Sequence, residues 1–447
     1  MENREAIKNM NIRLYNARIL TMETDKLTEG ELWVQDGKIL YVGDGSDTDN
    51  VRNGGHTDVK GMKWDREIDC EGNLLMPGFK NAHTHSGMTL LRSYADDLPL
   101  QEWLFQQVFP IEAKMDGEMI YHLTKLAVLE YLTSGVTSVF DMYLTPETTA
   151  KACVEMGMRC VQVSGTSGQT PDEYEHSLEL MEQRYQALNH DDPLLSYFIG
   201  FHAEYTCSRE LLEQVAAMAH KYKAPVYTHL AETKAEVEGC RERHGMSPTK
   251  LFDTLGIFDY GGGGYHCVYL DEEDMEIFRR RNLNVVTNPG SNVKLASGIA
   301  PISEYLRRGI NVAIGTDGPA SNNCLDMFRE MFLVTGLAKL REEDASAVDA
   351  WEVLKMATVN GSKAMYLPDT DVLAAGKAAD LIMIDLHQPN MQPLNNIPKN
   401  LVYSGSKQNV KMTMIQGRIL YENGKFSDTY DVDEIYGKAN EIINSLR

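Results

Sequence analysis

The sequence predicts an α/β protein: a (β/α)8, TIM-like barrel with a small β-sandwich domain built from the N- and C-terminal segments. Three observations predict it. Eight strand-like apolar runs alternate with helical patterns through the middle of the chain. Short alternating strands recur at both ends. Histidines stand at the C-terminal ends of several of the eight runs. The expected units are 1–75 and 369–447, which share the sandwich, and 76–368, the barrel.

The elements follow in order. Asn11–Leu20 alternates as a β-strand, and Glu31–Gln35 and Lys38–Val42 flank the turn dipeptide Asp36-Gly37. From Gly43 to about Arg66 the chain is rich in Gly, Asp, Asn and Thr, which predicts an exposed loop. The eight barrel runs are Leu74–His85, Val136–Tyr143, Arg159–Gly165, Leu195–Ala203, Pro225–Glu232, Tyr265–Leu270, Asn284–Pro289 and Asn311–Asp317. Between them lie helices with recognisable starts. Ser208 is placed to cap one that carries Leu211, Leu212, Val215, Met218 and Ala219 along one face. The run Gly261-Gly262-Gly263-Gly264 reads as a flexible turn feeding the sixth strand. Near the C-terminus, Asp380–Ile384, Val410–Ile415 and Arg418–Tyr421 are short strands, with turns at Gln416-Gly417 and Asn423-Gly424. Neither end is large enough for its own core, so one sandwich made from both is the economical solution.

Composition narrows the function. The 447 residues are 43% hydrophobic and 24% charged, as in a folded globular chain. The net charge of −22 argues against nucleic acid or an anionic membrane as a partner, since both demand a basic surface. The polar N-terminal segment has no apolar signal core, and no run approaches the length of a membrane span; a cytoplasmic location is expected. Seven cysteines are scattered without C-x-x-C spacing and read as reduced structural thiols.

Five of the 12 histidines fall at or near predicted strand ends: His83, His85, His202, His229 and His266; Asp317 ends the eighth run. All such ends open onto one face of a barrel, so residues remote in sequence converge there. His83 and His85, two apart on a strand, point to the same side. Two imidazoles so placed chelate one ion, and His229 and Asp317 complete a set suited to Zn²⁺ or Fe²⁺, leaving a position for water. Taken singly, each histidine reads as a hydrogen-bonded core residue; the joint register makes the metal reading. Glu232, three residues after His229, is placed for proton transfer over such a site.

Several motifs now carry a resemblance. Met76-Pro77-Gly78-Phe79-Lys80-Asn81-Ala82-His83-Thr84-His85 resembles the first-strand signature of the amidohydrolase superfamily. The stretches Tyr94–Leu104, His229–Thr233, Ser291–Pro301 and Gly315–Asn323 resemble the methylthioadenosine/S-adenosylhomocysteine deaminases and their triazine-hydrolase relatives. The resemblance implies one divalent ion per chain, zinc or iron, held by His83, His85, His229 and Asp317. It implies hydrolytic deamination, with ammonia released after attack by metal-activated water. Glu232 would donate to the ring nitrogen, His266 would hold the attacking oxygen, and Asp317 would move the water proton to the leaving ammonia. Trp103, Glu112, His202 and Ser321 would contact a small-molecule substrate, an adenine nucleoside (adenosine, methylthioadenosine or S-adenosylhomocysteine type). Alternatives within the resemblance are a free base such as guanine or a pterin, or a triazine. Related barrels are often dimers or larger. The chain departs from the pattern where Val163-Ser164-Gly165 replaces an arginine-bearing segment, and where Glu204 replaces a proline. The first change removes a fork-shaped partner for a carboxylate. A hydantoinase-type site would need a bridging lysine on the fourth strand, and Phe198–His202 has none.

Overall fold

The computed structural model describes residues 10–45 and 62–446. Most of the predicted Gly43–Arg66 loop lies outside them. The described chain forms two sheets.

One is an eight-stranded parallel sheet: β6 (Phe79–Thr84), β7 (Val136–Met142), β8 (Arg159–Val163), β9 (Leu195–Gly200), β10 (Val226–Leu230), β11 (Gly262–His266), β12 (Asn284–Thr287) and β13 (Asn311–Ile314), neighbours in chain order. Helices between them cover the outside, so the strands are buried on both faces and read as apolar runs. The helix Arg209–Tyr222 is typical. Ser208 accepts from the Leu211 amide, and Leu211, Leu212, Val215, Ala216 and Ala219 face the barrel. The first and last strands are joined by Asn81, whose side chain donates to Thr316 Oγ1 and accepts from the Thr316 amide; the Asp317 amide donates to the His83 carbonyl.

The other sheet is mixed and nine-stranded. It takes β1 (Asn11–Leu20), β2 (Leu27–Gln35), β3 (Lys38–Gly43), β4 (Arg66–Asp69) and β5 (Leu74–Pro77) from one end, and β14 (Leu381–Ile384), β15 (Val410–Ile415), β16 (Arg418–Glu422) and β17 (Lys425–Phe426) from the other. The ends meet where β5 runs antiparallel to β14, and its core holds Ile12, Leu14, Leu32, Leu381 and Met412.

Two expectations are corrected. The run Leu74–His85 is not one strand: Leu74–Pro77 pairs with β1 and β14, and only Phe79–Thr84 joins the barrel. Pro77 has no amide to donate, and the chain changes sheets beside it. Gly262–Gly264 are not a turn but the buried body of β11. A Cβ on Gly262 would meet the Val226 carbonyl oxygen at 1.9 Å, and one on Gly263 the Asn284 oxygen at 2.2 Å. Glycine is needed there because neighbouring backbones approach too closely for any side chain, while the rings of Tyr227 and Tyr265 fill the barrel interior.

A buried ion pair ties the sheets together. Arg159 on β8 donates to Asp380, just before β14, at 2.7 and 3.2 Å, with side-chain exposures of 8% and 0%. Burial alone would raise the Asp380 pKa; Arg159, with Lys80 behind it, outweighs burial and lowers it. Arg159→Met leaves a buried carboxylate unpaired and should cost about 3–5 kcal/mol in urea unfolding at pH 7. A carboxylate with a depressed folded pKa stabilises above its unfolded value of 3.8 and loses that contribution as pH falls through the folded one. The gap between wild type and variant should therefore narrow toward pH 3; a gap independent of pH would refute this account.

Candidate metal and catalytic site

The strand ends bring His85, His229, Glu232, His266 and Asp317 to one cavity of about 530 Å³, with His83 fully buried beside Asp317. His83 lies on β6 and His85 just beyond it, where the β6–β7 ladder is irregular between Asn81 and Thr84. His229 is on β10, His266 ends β11, and Asp317 stands three residues past β13. Backbone strain marks this rim. Ala231, His266, Cys267 and Asp317 all have positive φ, at 50°, 68°, 49° and 59°. Such conformations persist in non-glycine residues only when the surroundings enforce them, and they concentrate at functional sites.

Asp317 is the hub. Its Oδ1 faces His85 Nε2 at 3.1 Å and His83 Nε2 at 3.5 Å and accepts from the Gly318 amide at 2.8 Å. Its Oδ2 accepts from Ser291 Oγ at 2.6 Å and Ser321 Oγ at 2.8 Å. His266 Nε2 lies 3.9 Å from Asp317 Oδ2 and 3.9 Å from Glu232 Oε2.

These side chains fit a metal ion on three counts. Ligand atoms of His83, His85 and Asp317, and of His83, His229 and His266, lie within 4.8 Å of one another. Neither ring nitrogen of His83 has a hydrogen-bond partner, although the residue is wholly buried. The other two imidazoles are oriented from behind: His229 Nδ1 donates to the His202 carbonyl at 2.7 Å, and His85 Nδ1 to that of Met142. This directs both Nε2 lone pairs at the centre, as in metal-ligating histidines generally. Burial lowers His83 to about 3 and His229 well below the usual range, so both rings are the neutral form a metal binds. For His85 burial is outweighed by the Asp317 carboxylate, which raises it to about 9. Asp317, despite burial, is held well below the usual carboxylate range by His83 and His85. A bound cation would take the place of the His85 proton, so binding should release a proton.

The remaining predicted residues sit as follows. Glu232 is 7% exposed; burial raises its pKa, and Ser297 Oγ donates to its Oε1 at 3.3 Å. Trp103 lines the cavity from a π-helical segment, Trp103–Val108. Glu112 lines it too, with Oε1 unpartnered and its pKa pushed up by burial to about 7. His202 lines it and shares a hydrogen bond with Thr206 Oγ1 at 3.1 Å. Ser321 lines it while donating to Asp317.

Sequence reasoning missed Ser291, Asn292, Glu236 and Arg184. Asn292 Oδ1 accepts from His266 Nδ1 at 2.8 Å, which leaves the His266 Nε2 lone pair facing the cavity. Ser291 and Asn292 lie in a motif already singled out, but only their placement assigns them partners. Arg184 sits deep within the helix Pro171–Asp191 and carries no sequence signal. Among the described residues it is the only lysine or arginine that lines the cavity. It is engaged by Glu147, at 2.8 and 3.0 Å.

The model of the amidohydrolase family matches residues 74–420. The chain belongs to the amidohydrolase family. This amidohydrolase is 38% identical over 417 residues to a 5-methylthioadenosine/S-adenosylhomocysteine deaminase of Caldicellulosiruptor saccharolyticus, covering 93% of this chain and 94% of that one. It is 39% identical over 442 residues to a 5'-deoxyadenosine deaminase of Methanosarcina acetivorans, covering 97% and 98%. Among solved structures, an adenosine deaminase from Xanthomonas campestris with bound zinc superposes on this amidohydrolase with a TM-score of 0.88, at 32% identity and 98% coverage of each chain. No described helix is long and apolar enough to cross a membrane.

Proposed function

We propose that the chain is a metal-dependent hydrolytic deaminase of an adenine nucleoside. One observation carries this reading: the buried acid Glu232 lines the same cavity as His85, His229 and Asp317, and buried His83 shares a possible metal-holding cluster with His85 and Asp317. A divalent ion held by those four groups, zinc by analogy with the solved relative, would supply Lewis acidity and make water nucleophilic near pH 7.

The protein's own groups do the rest. An aromatic C–NH2 carbon resists addition until the adjacent ring nitrogen is protonated. Glu232, whose acid form burial favours, would donate that proton. His266, its Nδ1 proton committed to Asn292, offers Nε2 as an acceptor that orients the attacking water. Asp317 receives the water proton and returns it to the leaving amine; Ser291, Ser321 and the Gly318 amide hold its two oxygens in place. Water adds, the C–N bond breaks, the hydroxyl proton of the adduct passes to the Glu232 carboxylate and restores the acid, and the products are the ring carbonyl compound and ammonia.

The substrate side suits a neutral nucleoside. Trp103, Leu104 and Phe109 form an apolar wall, and Glu112, which lines the same cavity, would receive sugar hydroxyls. The cavity also holds Glu173, and its one arginine among the described residues is already paired with Glu147. An anionic tail would therefore meet carboxylates without a free cation to receive it. An ammonia-release assay should show turnover of adenosine, methylthioadenosine or 5'-deoxyadenosine. It should also show kcat/KM at least about tenfold lower for adenosine 5'-phosphate, equivalent to about 1.4 kcal/mol. Parity between them would reject the neutral-substrate reading, and silence with every adenine nucleoside would reject the activity.

A further inference from the structure

The helix Lys234–His244 starts directly behind Glu232, with Thr233 as its N-cap and Glu236 in the first turn. A glutamate at that place ordinarily closes a capping box by reaching back to the N-cap amide, here that of Thr233. Glu236 does something else. Its side chain goes past Thr233; Oε1 accepts from the Ala231 amide at 2.7 Å and Oε2 from the Glu232 amide at 2.8 Å. The residue is only 5% exposed, and both oxygens are spent on two consecutive backbone N–H groups.

The backbone so gripped is the strained one. Ala231 has φ of 50°, a conformation an alanine does not hold without enforcement. Its carbonyl accepts from the Val268 and Tyr269 amides at 3.0 Å each, on the loop that follows His266 and Cys267, both also at positive φ. The Glu236 carboxylate thus closes the turn that carries Glu232, and the Ala231 carbonyl ties that turn to the one that carries His266. Rotation of the 231–232 peptide would swing the Glu232 carboxyl out of line, and small misplacements of a reacting group cost large factors in rate.

We propose that Glu236 is a positioning residue: by clamping the amides of Ala231 and Glu232 it aims the Glu232 acid at the substrate ring. This rests on the role proposed for Glu232.

The test uses the full-length, metal-loaded protein. Glu236→Gln keeps one acceptor oxygen but presents an NH2 group to the other amide. Its kcat should fall about 10–100-fold, with KM within about threefold and one ion per chain retained. In a Glu232→Gln background the same change should cost no more than about twofold, because aiming an absent acid has no value. A wild-type kcat in Glu236→Gln would overturn the proposal, and so would the full loss recurring in the Glu232→Gln background. If Glu236→Gln does not fold, Glu236→Asp, which draws the carboxylate back by one methylene, is judged by the same two criteria. Wild-type activity in Glu232→Gln itself overturns the role of Glu232, a separate failure that no behaviour of Glu236→Gln can mimic.

Discussion

Glu232→Gln should leave the protein folded and metal-loaded yet lower kcat by about 10²–10⁴-fold, the usual worth of a general acid. The amide is close in shape to the acid and is small enough for the same site beside Ser297 and His266. What it lacks is an acidic proton. In wild type, burial favours the protonated form by disfavouring the carboxylate. The loss should fall on kcat, because Trp103 and Phe109, the proposed packing surface for substrate, are untouched. Steady-state kinetics with elemental analysis of the same sample checks it. Activity within a few-fold of wild type would remove Glu232 from the chemistry.

Asp317→Asn should abolish both metal retention and turnover. Asp317 is the only carboxylate in the proposed ligand set, and it is held by three donors, Gly318 N, Ser291 Oγ and Ser321 Oγ. An asparagine NH2 must face either those donors, where a buried donor opposes a donor, or the metal position beside His83 and His85, where an amide nitrogen cannot ligate a cation. The charge that balances the cation is also gone. Chelation of the wild-type protein should give the same inactive state, and added zinc should restore activity to the wild type but not to Asp317→Asn. Full turnover by metal-free wild-type protein would refute the metal role.

Much of the fold was legible because parallel barrel strands buried on both faces leave continuous apolar runs, each ending in polar residues. Six of the eight runs contained a single barrel strand, the run Tyr265–Leu270 shared only Tyr265 and His266 with β11, and the first run failed at Pro77. The run is buried at every residue from Leu74 to Thr84, and nothing in the pattern says that two sheets share it. Gly262–Gly264 misled for the opposite reason. Three glycines lack the side chains on which a strand reading depends, and their necessity lies in Val226 and Asn284, some 20–36 residues away in sequence. Glu236 looked like any first-turn helix acid, since only its partners, the Ala231 and Glu232 amides, distinguish it.

The order of the strands and the choice of His83, His85, His229, Glu232, His266 and Asp317 follow from local periodicity and from chemistry carried by residue type. Both can be read along one dimension. The direction of each imidazole, the tautomer imposed by Asn292, the clamp on Glu232 and the pairing of Arg184 with Glu147 arise only when the folded barrel brings separated segments together. Hydrogen bonds and charge pairs depend on distances of a few ångströms between atoms, and no pattern along the chain encodes those distances.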